Sequence, residues 1–199
     1  MTTEARRAAG PRSFANVTLR TERLLLRPWA EADIDAITAA CQDPEIQRYV
    51  PIPAPYSRTD AEVFVREVLP AGRAAGTDVV FGVFDADTAL PVASVGLHRI
   101  KHLDAPCGGT AEIGYWATPA ARGLGYTTEA VREVCRWAFA DLALARVEWL
   151  ALAGNEGSWR VVEKLGFTRE GTLRFYTIQR GARHDMWIAS LLRSEAKLG

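Results

Sequence analysis

The sequence predicts an α/β fold: one domain with helices on both faces of a mixed, twisted sheet of about seven strands. Three observations predict it. Short β-rich runs alternate with amphipathic helical patterns along nearly the whole chain. A β-rich run at Glu112–Ala117 leads through Arg122-Gly123-Leu124-Gly125-Tyr126-Thr127-Thr128-Glu129-Ala130 into a strongly periodic helix. Of the 199 residues 48% are apolar, enough for one sizeable core. The expected domain spans residues 17–192, with a disordered tail at 1–16 and a short C-terminal tail at 193–199.

Val17–Trp29 reads as a first strand broken at Thr21-Glu22 and stopped by Pro28. Ile34, Ile37 and Cys41 then recur at helical spacing, with Glu31 and Asp33 in the favourable first turn, giving about three turns interrupted by Asp43-Pro44. Pro51, Pro53 and Pro55 make 51–57 a loop. Thr59 and Glu62 form a capping box for a helix that buries Ala61, Phe64, Val65, Val68 and Leu69 and ends near Pro70.

Val79–Phe84 and Val92–Ile100 pair as an antiparallel hairpin around Asp85-Ala86-Asp87-Thr88. His102–Thr110, with Pro106 and Gly108-Gly109, is a loop before the run at Ala111–Ala117. The helix after the glycines turns Val131, Val134, Cys135, Ala138 and Leu142 inward, and Glu129, Arg132, Glu133 and Arg136 outward as a solvated face. Val147–Leu152 is the next buried strand, so the 111–152 segment is a parallel crossover. Asn155 caps a short helix whose apolar side is Trp159, Val162 and Leu165, and Gly166 closes it in the left-handed conformation with Phe167 packing back. Strands at 167–176 and 184–192 around Arg180-Gly181 complete the sheet.

Twenty-four basic and 24 acidic residues cancel without a dense basic run, which argues against nucleic acid or an anionic membrane as the main partner. Cys41, Cys107 and Cys135 lack C-x-x-C spacing, so neither a disulfide framework nor a metal site is expected and a reducing cytoplasm is the default. No apolar run approaches a membrane span, and Met1–Asn16 lacks the core of a signal peptide.

The 122–130 segment carries the chemistry. A helix N-terminus offers unpaired N–H groups and partial positive charge, two glycines remove Cβ atoms that hold an anion off, and Arg122 adds a cation. It lacks the Lys-Ser/Thr ending of a nucleotide P-loop and is shorter than G-x-G-x-x-G. The expected guest is a pyrophosphate carried by another molecule.

With Thr21-Glu22-Arg23-Leu24-Leu25-Leu26-Arg27-Pro28, Glu112-Ile113-Gly114-Tyr115-Trp116, Asn155-Glu156-Gly157-Ser158 and Glu163-Lys164-Leu165-Gly166-Phe167 in this order, the chain resembles the GNAT superfamily of N-acetyltransferases, in the branch of the ribosomal-protein N-terminal acetyltransferases RimJ and RimL. The resemblance implies the GNAT fold and acetyl-CoA as acetyl donor. It places the pyrophosphate on Arg122, Gly123, Leu124, Gly125, Tyr126 and Thr127, the last departing from the usual Gly/Ala. It pairs the pantetheine arm with the strand through Tyr115, Trp116 and Ala117, in a slot left where this strand splays from 147–152, with Asn155 and Ser158 on the opposite wall.

Acetyl transfer to an amine needs a neutral amine, a stabilised oxyanion and a proton for the departing thiolate. Glu112 is the expected base, directly or through water, against the plainer reading of a strand-edge carboxylate. Ser158, by resemblance, hydrogen-bonds the sulfur, or else serves the first helical turn. A backbone N–H from 113–117, aimed by a bulge, is the oxyanion donor the family implies. His98 and His102 flank a strand end and are the alternative bases, His98 the next after Glu112; His98 and Trp29 are the candidate acceptor contacts, with Trp116 at the slot, and solvated or core-satisfied histidines and packed tryptophans are the bland alternatives. His184 and Asp185, as strand neighbours, point to opposite faces and do not form a dyad. The acceptor is a protein N-terminus or a small amine, taken by a pocket from 50–75 and 102–110; a non-catalytic acyl-CoA sensor is the rival class. A homodimer is compatible with the sequence.

Overall fold

The computed structural model describes Phe14 and residues 17–198. Among the described residues eight strands form one sheet in the order β1-β2-β3-β4-β5-β6-β8-β7. They are β1 (Leu19–Arg20), β2 (Leu24–Arg27), β3 (Val79–Asp85), β4 (Pro91–Lys101), β5 (Gly109–Ala117), β6 (Leu144–Leu152), β7 (Thr168–Gln179) and β8 (Ala182–Leu192). The helices are α1 (Ile34–Ala40), α2 (Pro44–Tyr49), α3 (Arg58–Val63), α4 (Leu69–Ala75), α5 (Tyr126–Ala140) and α6 (Glu156–Glu163). Every neighbouring pair is antiparallel except β5 and β6, which α5 connects. The eighth strand comes from the break at Thr21-Glu22, which divides the first β-rich run into two paired strands.

Alternation along the strands builds two cores. Leu97, Ile113, Val147 and Leu191 pack on one face with Val131, Val134, Cys135 and Ala138 of α5 and Val162 of α6. On the other face Trp29, Val80 and Phe84 meet Ile34 and Ile37 of α1, Ile46 of α2 and Ala61 of α3.

Several local expectations change. Asp43-Pro44 does more than interrupt a helix: the Asp43 carboxylate accepts from Ile46 N–H and Pro44 occupies the first turn, so the pair starts α2. The capping box opening α3 is Ser57 with Asp60, two residues upstream of the expected pair. Pro70 does not end this helical run. A π-widened turn at Phe64–Val68, with the Leu69 N–H bonded to Phe64 C=O, lies immediately before it. The wider turn relieves the clash a proline ring makes with the carbonyl four residues earlier, and the run reaches Gly76 at φ 70°. The closing strands extend beyond 167–176 and 184–192, with Arg180-Gly181 at φ 52° and 76° making the tight hairpin turn.

Most of the expected N-terminal tail lies outside the described residues. Phe14 is described and buried against Trp137, with ring centroids 6.3 Å apart, so packing begins before Val17. The expected C-terminal tail is docked through residue 198: Arg193 N–H donates to Ala145 C=O at 2.9 Å, and Ala196 and Leu198 pack on the core.

Candidate active site

The single parallel pair makes the slot. β5 and β6 pair from Gly109/Leu144, with a register shift before Thr110/Arg146, to Glu112/Glu148 and no further, whereas β5 stays paired with β4 through Ala117 and β6 with β8 through Leu152. The backbones therefore part after Glu112, leaving the β6 side of Ile113–Ala117 without a ladder partner. The expected splay is present.

The cradle stands at the same end. Gly125, at φ 82°, precedes α5, which has no side-chain cap at its N-terminus, and Gly123 is at φ 79°. A Cβ on Gly123 meets nothing within 4 Å, and one on Gly125 meets Arg23 Nη2 at 3.7 Å. The space before these N–H groups is open, which suits a pyrophosphate.

Behind the cradle lies a support on the α5 face whose helical period predicts solvent exposure. The Glu129 carboxylate, in the first turn of α5, accepts from Thr21 Oγ1 at 2.5 Å and from Arg23 Nε and Nη2 at 2.8 and 2.6 Å. Burial pulls the other way, yet these bonds hold its carboxyl below the usual range. Arg23 also reaches Leu124 C=O at 3.3 Å and covers the Tyr126 ring. Glu129 is thus a correction to the outward, solvated face: it clamps the β1–β2 turn to the cradle. Tyr126 turns its hydroxyl to Asp85 at 2.8 Å, so its backbone and not its phenol faces the cradle. Arg122 is ion-paired with Asp43 at the start of α2 and reaches Ala117 C=O at 3.3 Å.

On the α6 wall, Asn155 Oδ1 caps the helix by accepting from Ser158 N–H at 3.1 Å. The Ser158 hydroxyl accepts from Trp149 Nε1 at 3.1 Å and donates to the Tyr115 hydroxyl at 3.0 Å, while Tyr115 donates to Ser158 C=O at 2.7 Å. Burial pushes the Tyr115 phenol up, so it stays protonated. Tyr115 and Ser158 thereby bridge β5 to α6 beside the slot; Ser158 is the capped residue and not the cap.

On the α1–α4 side, Glu112 is ion-paired with Arg99, its side chain 17% exposed. Arg99 has φ 51° within a bulge of β4 between His98 and Lys101. β5 pairs with β4 without a register shift from Glu112 to Ala117, so the bulge expected at 113–117 is absent and the irregularity of this pair lies in β4. There it aims a guanidinium at the carboxylate. His98, opposite Glu112, has Nδ1 3.0 Å from Asp78 Oδ1. Trp29 is a core residue: 6% exposed, its indole N–H donates to Ser94 Oγ at 3.1 Å. It is no acceptor contact but stacks behind Trp116, centroids 6.0 Å apart. His102 is exposed. His184 Nε2 contacts Gln179 C=O and Asp185 accepts from Phe175 N–H, so these two form no dyad.

Where β6 ends, a cavity of about 690 Å³ opens between α2 and the β7–β8 turn, lined by Arg48, Leu152, Ala153, Arg180, Arg183 and His184 among others. Arg180 and Arg183 donate to Gln47 C=O and Phe175 C=O. No helix among the described residues is long and apolar enough to cross a membrane.

Residues 23–168 match the family model described as the acetyltransferase (GNAT) domain. The N-acetyltransferase YoaA of Bacillus subtilis, itself uncharacterised, is 29% identical over 177 residues, covering 88% of this chain and 96% of that protein. Mycobacterium smegmatis RimJ, solved with a CoA disulfide, superposes at TM-score 0.79 with 22% identity, covering 90% of this chain and 88% of RimJ. The spermidine N-acetyltransferase of Vibrio cholerae, solved with CoA and spermine, superposes at 0.73 with 20% identity, covering 88% and 98%. With the family match spanning both the cradle and the slot, the chain belongs to the GNAT family and is an acetyl-CoA-dependent N-acetyltransferase.

Proposed function

We propose that the acceptor is the N-terminal amine of a protein or peptide. The observation that carries this reading is the cavity beside the slot, open between two elements and lined by Arg48, Arg180 and Arg183 with Asp185 as its carboxylate. Such a wall disfavours a polycation such as spermidine and leaves room for an extended chain. The likeness to RimJ in fold and motif order points the same way.

Acetyl-CoA supplies the activated acetyl group; the chain supplies placement and proton handling. In this reading Gly123, Gly125 and the first turn of α5 hold the pyrophosphate, and the unpaired β5 backbone holds the pantetheine arm and offers an N–H to the developing oxyanion. The Ser158 hydroxyl, kept in place by Trp149 and Tyr115, turns to the sulfur as it departs. Glu112, steadied by Arg99, receives the acceptor ammonium.

Thiol release from acetyl-CoA, measured with short peptides bearing free N-termini, the same peptides N-blocked, and spermidine, tests this. Turnover with free N-termini alone is expected. Turnover with spermidine and none with peptides would give the reaction to small amines.

A further inference from the structure

His98 is built into its position from three sides. Asp78, immediately before β3, has Oδ1 3.0 Å from Nδ1, and the neutral tautomer that donates Nδ1–H to it leaves its lone pair on Nε2. The ring lies down over the sheet because its neighbours on that face are glycines. A Cβ on Gly96 would come 3.0 Å from Nε2, and one on Gly114 would come 3.3 Å from Nε2 and 3.2 Å from Cδ2. Both are tighter than ordinary packing, so any larger residue at either position would lift the imidazole away. Gly114 is also the first residue on this face of β5 beyond the last β5–β6 pair, Glu112/Glu148. The Nε2 lone pair therefore overhangs the mouth of the slot.

The side chain is 38% exposed, within reach of a ligand. Glu112, directly opposite on β5, has its carboxylate engaged by Arg99.

We propose that the Asp78–His98 pair is the base of the acetyl transfer, with Nε2 taking the proton from the acceptor ammonium while Glu112 orients it. This deepens the acetyl-transfer reading and rests on it. One ammonium proton passes to Nε2, and the freed nitrogen lone pair forms the bond to the acetyl carbon. The carbon–sulfur bond breaks, and the second nitrogen proton ends on sulfur as the thiol. The imidazolium, stabilised by Asp78, returns its proton to solvent.

His98→Ala and Asp78→Asn in the full chain test it, with three readouts. These are turnover near neutral pH with a peptide whose N-terminus is largely protonated, turnover with hydroxylamine, which is already neutral, and rescue by added imidazole. For His98→Ala, peptide turnover should fall about 10²-fold or more, hydroxylamine turnover by less than about fivefold, and imidazole should restore part of the loss. Asp78→Asn should reproduce the pattern at about tenfold. Calorimetry should give unchanged acetyl-CoA affinity in both. Wild-type peptide turnover in His98→Ala, or equal loss with both nucleophiles and no rescue, overturns the proposal. A wild-type protein that turns over neither nucleophile is a different result, sinking the peptide-acceptor reading and this inference with it.

Discussion

Removing the Glu129 carboxylate leaves Thr21 Oγ1 and the Arg23 N–H, Nε and Nη2 without their acceptor. Arg23 is what a Cβ on Gly125 would meet, so the change reaches the cradle without touching its backbone. Glu129→Ala is expected to cost about 1–3 kcal/mol of stability and to weaken acetyl-CoA by roughly tenfold, read by urea denaturation and calorimetry. Unchanged affinity would make the clamp purely structural. Ser158→Ala is expected to lose about 1–3 kcal/mol, because the indole N–H of the buried Trp149 loses its acceptor. A fall in kcat of about tenfold to a hundredfold on the same preparation would be the contribution at sulfur; unaltered kcat would leave Ser158 a strut. The glycines, Asn155 and Ser158 were legible because they sit in local motifs. The long-range carboxylate pairs were not: Glu129 lies 106 residues from Arg23, and Asp78, just before β3, lies 20 from His98 on β4. Nothing in one-dimensional spacing distinguishes such a carboxylate from a solvated one.

Elements were recognisable wherever the apolar period was long, as in α5, and went astray where a proline had two local solutions. Asp43-Pro44 interrupts the apolar period yet starts α2, and Pro70 has the pattern of an end although the π-widened turn carries the helix past it. The β7–β8 hairpin is held by more than its ladder. Arg146 on β6 forks onto Glu170 at 2.7 and 2.6 Å and meets Glu148 at 2.9 Å, and Ser190 donates to Glu170 at 2.7 Å. The Arg146 and Ser190 bonds hold the Glu170 carboxyl down at about 2. A depressed carboxyl contributes stability that is fully present above its unfolded value of about 4.3 and is lost as pH falls through its folded one. Glu170→Gln should therefore be less stable than wild type at neutral pH, by under about 1 kcal/mol because the site is partly solvated, and the gap should narrow between about pH 4.5 and 2. Urea titrations at both ends of that window check it; a gap independent of pH would show that Arg146 and Glu170 are not coupled in the folded state.

At the scale of the whole molecule, one topological choice sets the donor site. A parallel pair within an otherwise antiparallel sheet requires a crossover, and the crossover helix α5 begins where β5 ends. Hence the cradle and the open end of the slot face the same region, and a molecule with a pyrophosphate joined to a long arm bridges α5, β5 and the α6 wall. Arg122 extends the bridge to α2 through Asp43. Acetyl-CoA bound only to this folded arrangement must stabilise it. At about 100 times its dissociation constant the gain is ~2.7 kcal/mol, which for a domain of this size raises the melting temperature by roughly 5–11 °C. A nicotinamide dinucleotide shares the pyrophosphate but lacks the arm, so its shift should be far smaller. Gly125→Val forces a branched residue into φ 82° and fills the space before the α5 N–H groups, so it should remove most of the acetyl-CoA shift while the unliganded protein still melts cooperatively. Thermal denaturation of both proteins with both ligands decides it: an equal response to the dinucleotide, or a full acetyl-CoA shift in Gly125→Val, would move the pyrophosphate away from this helix.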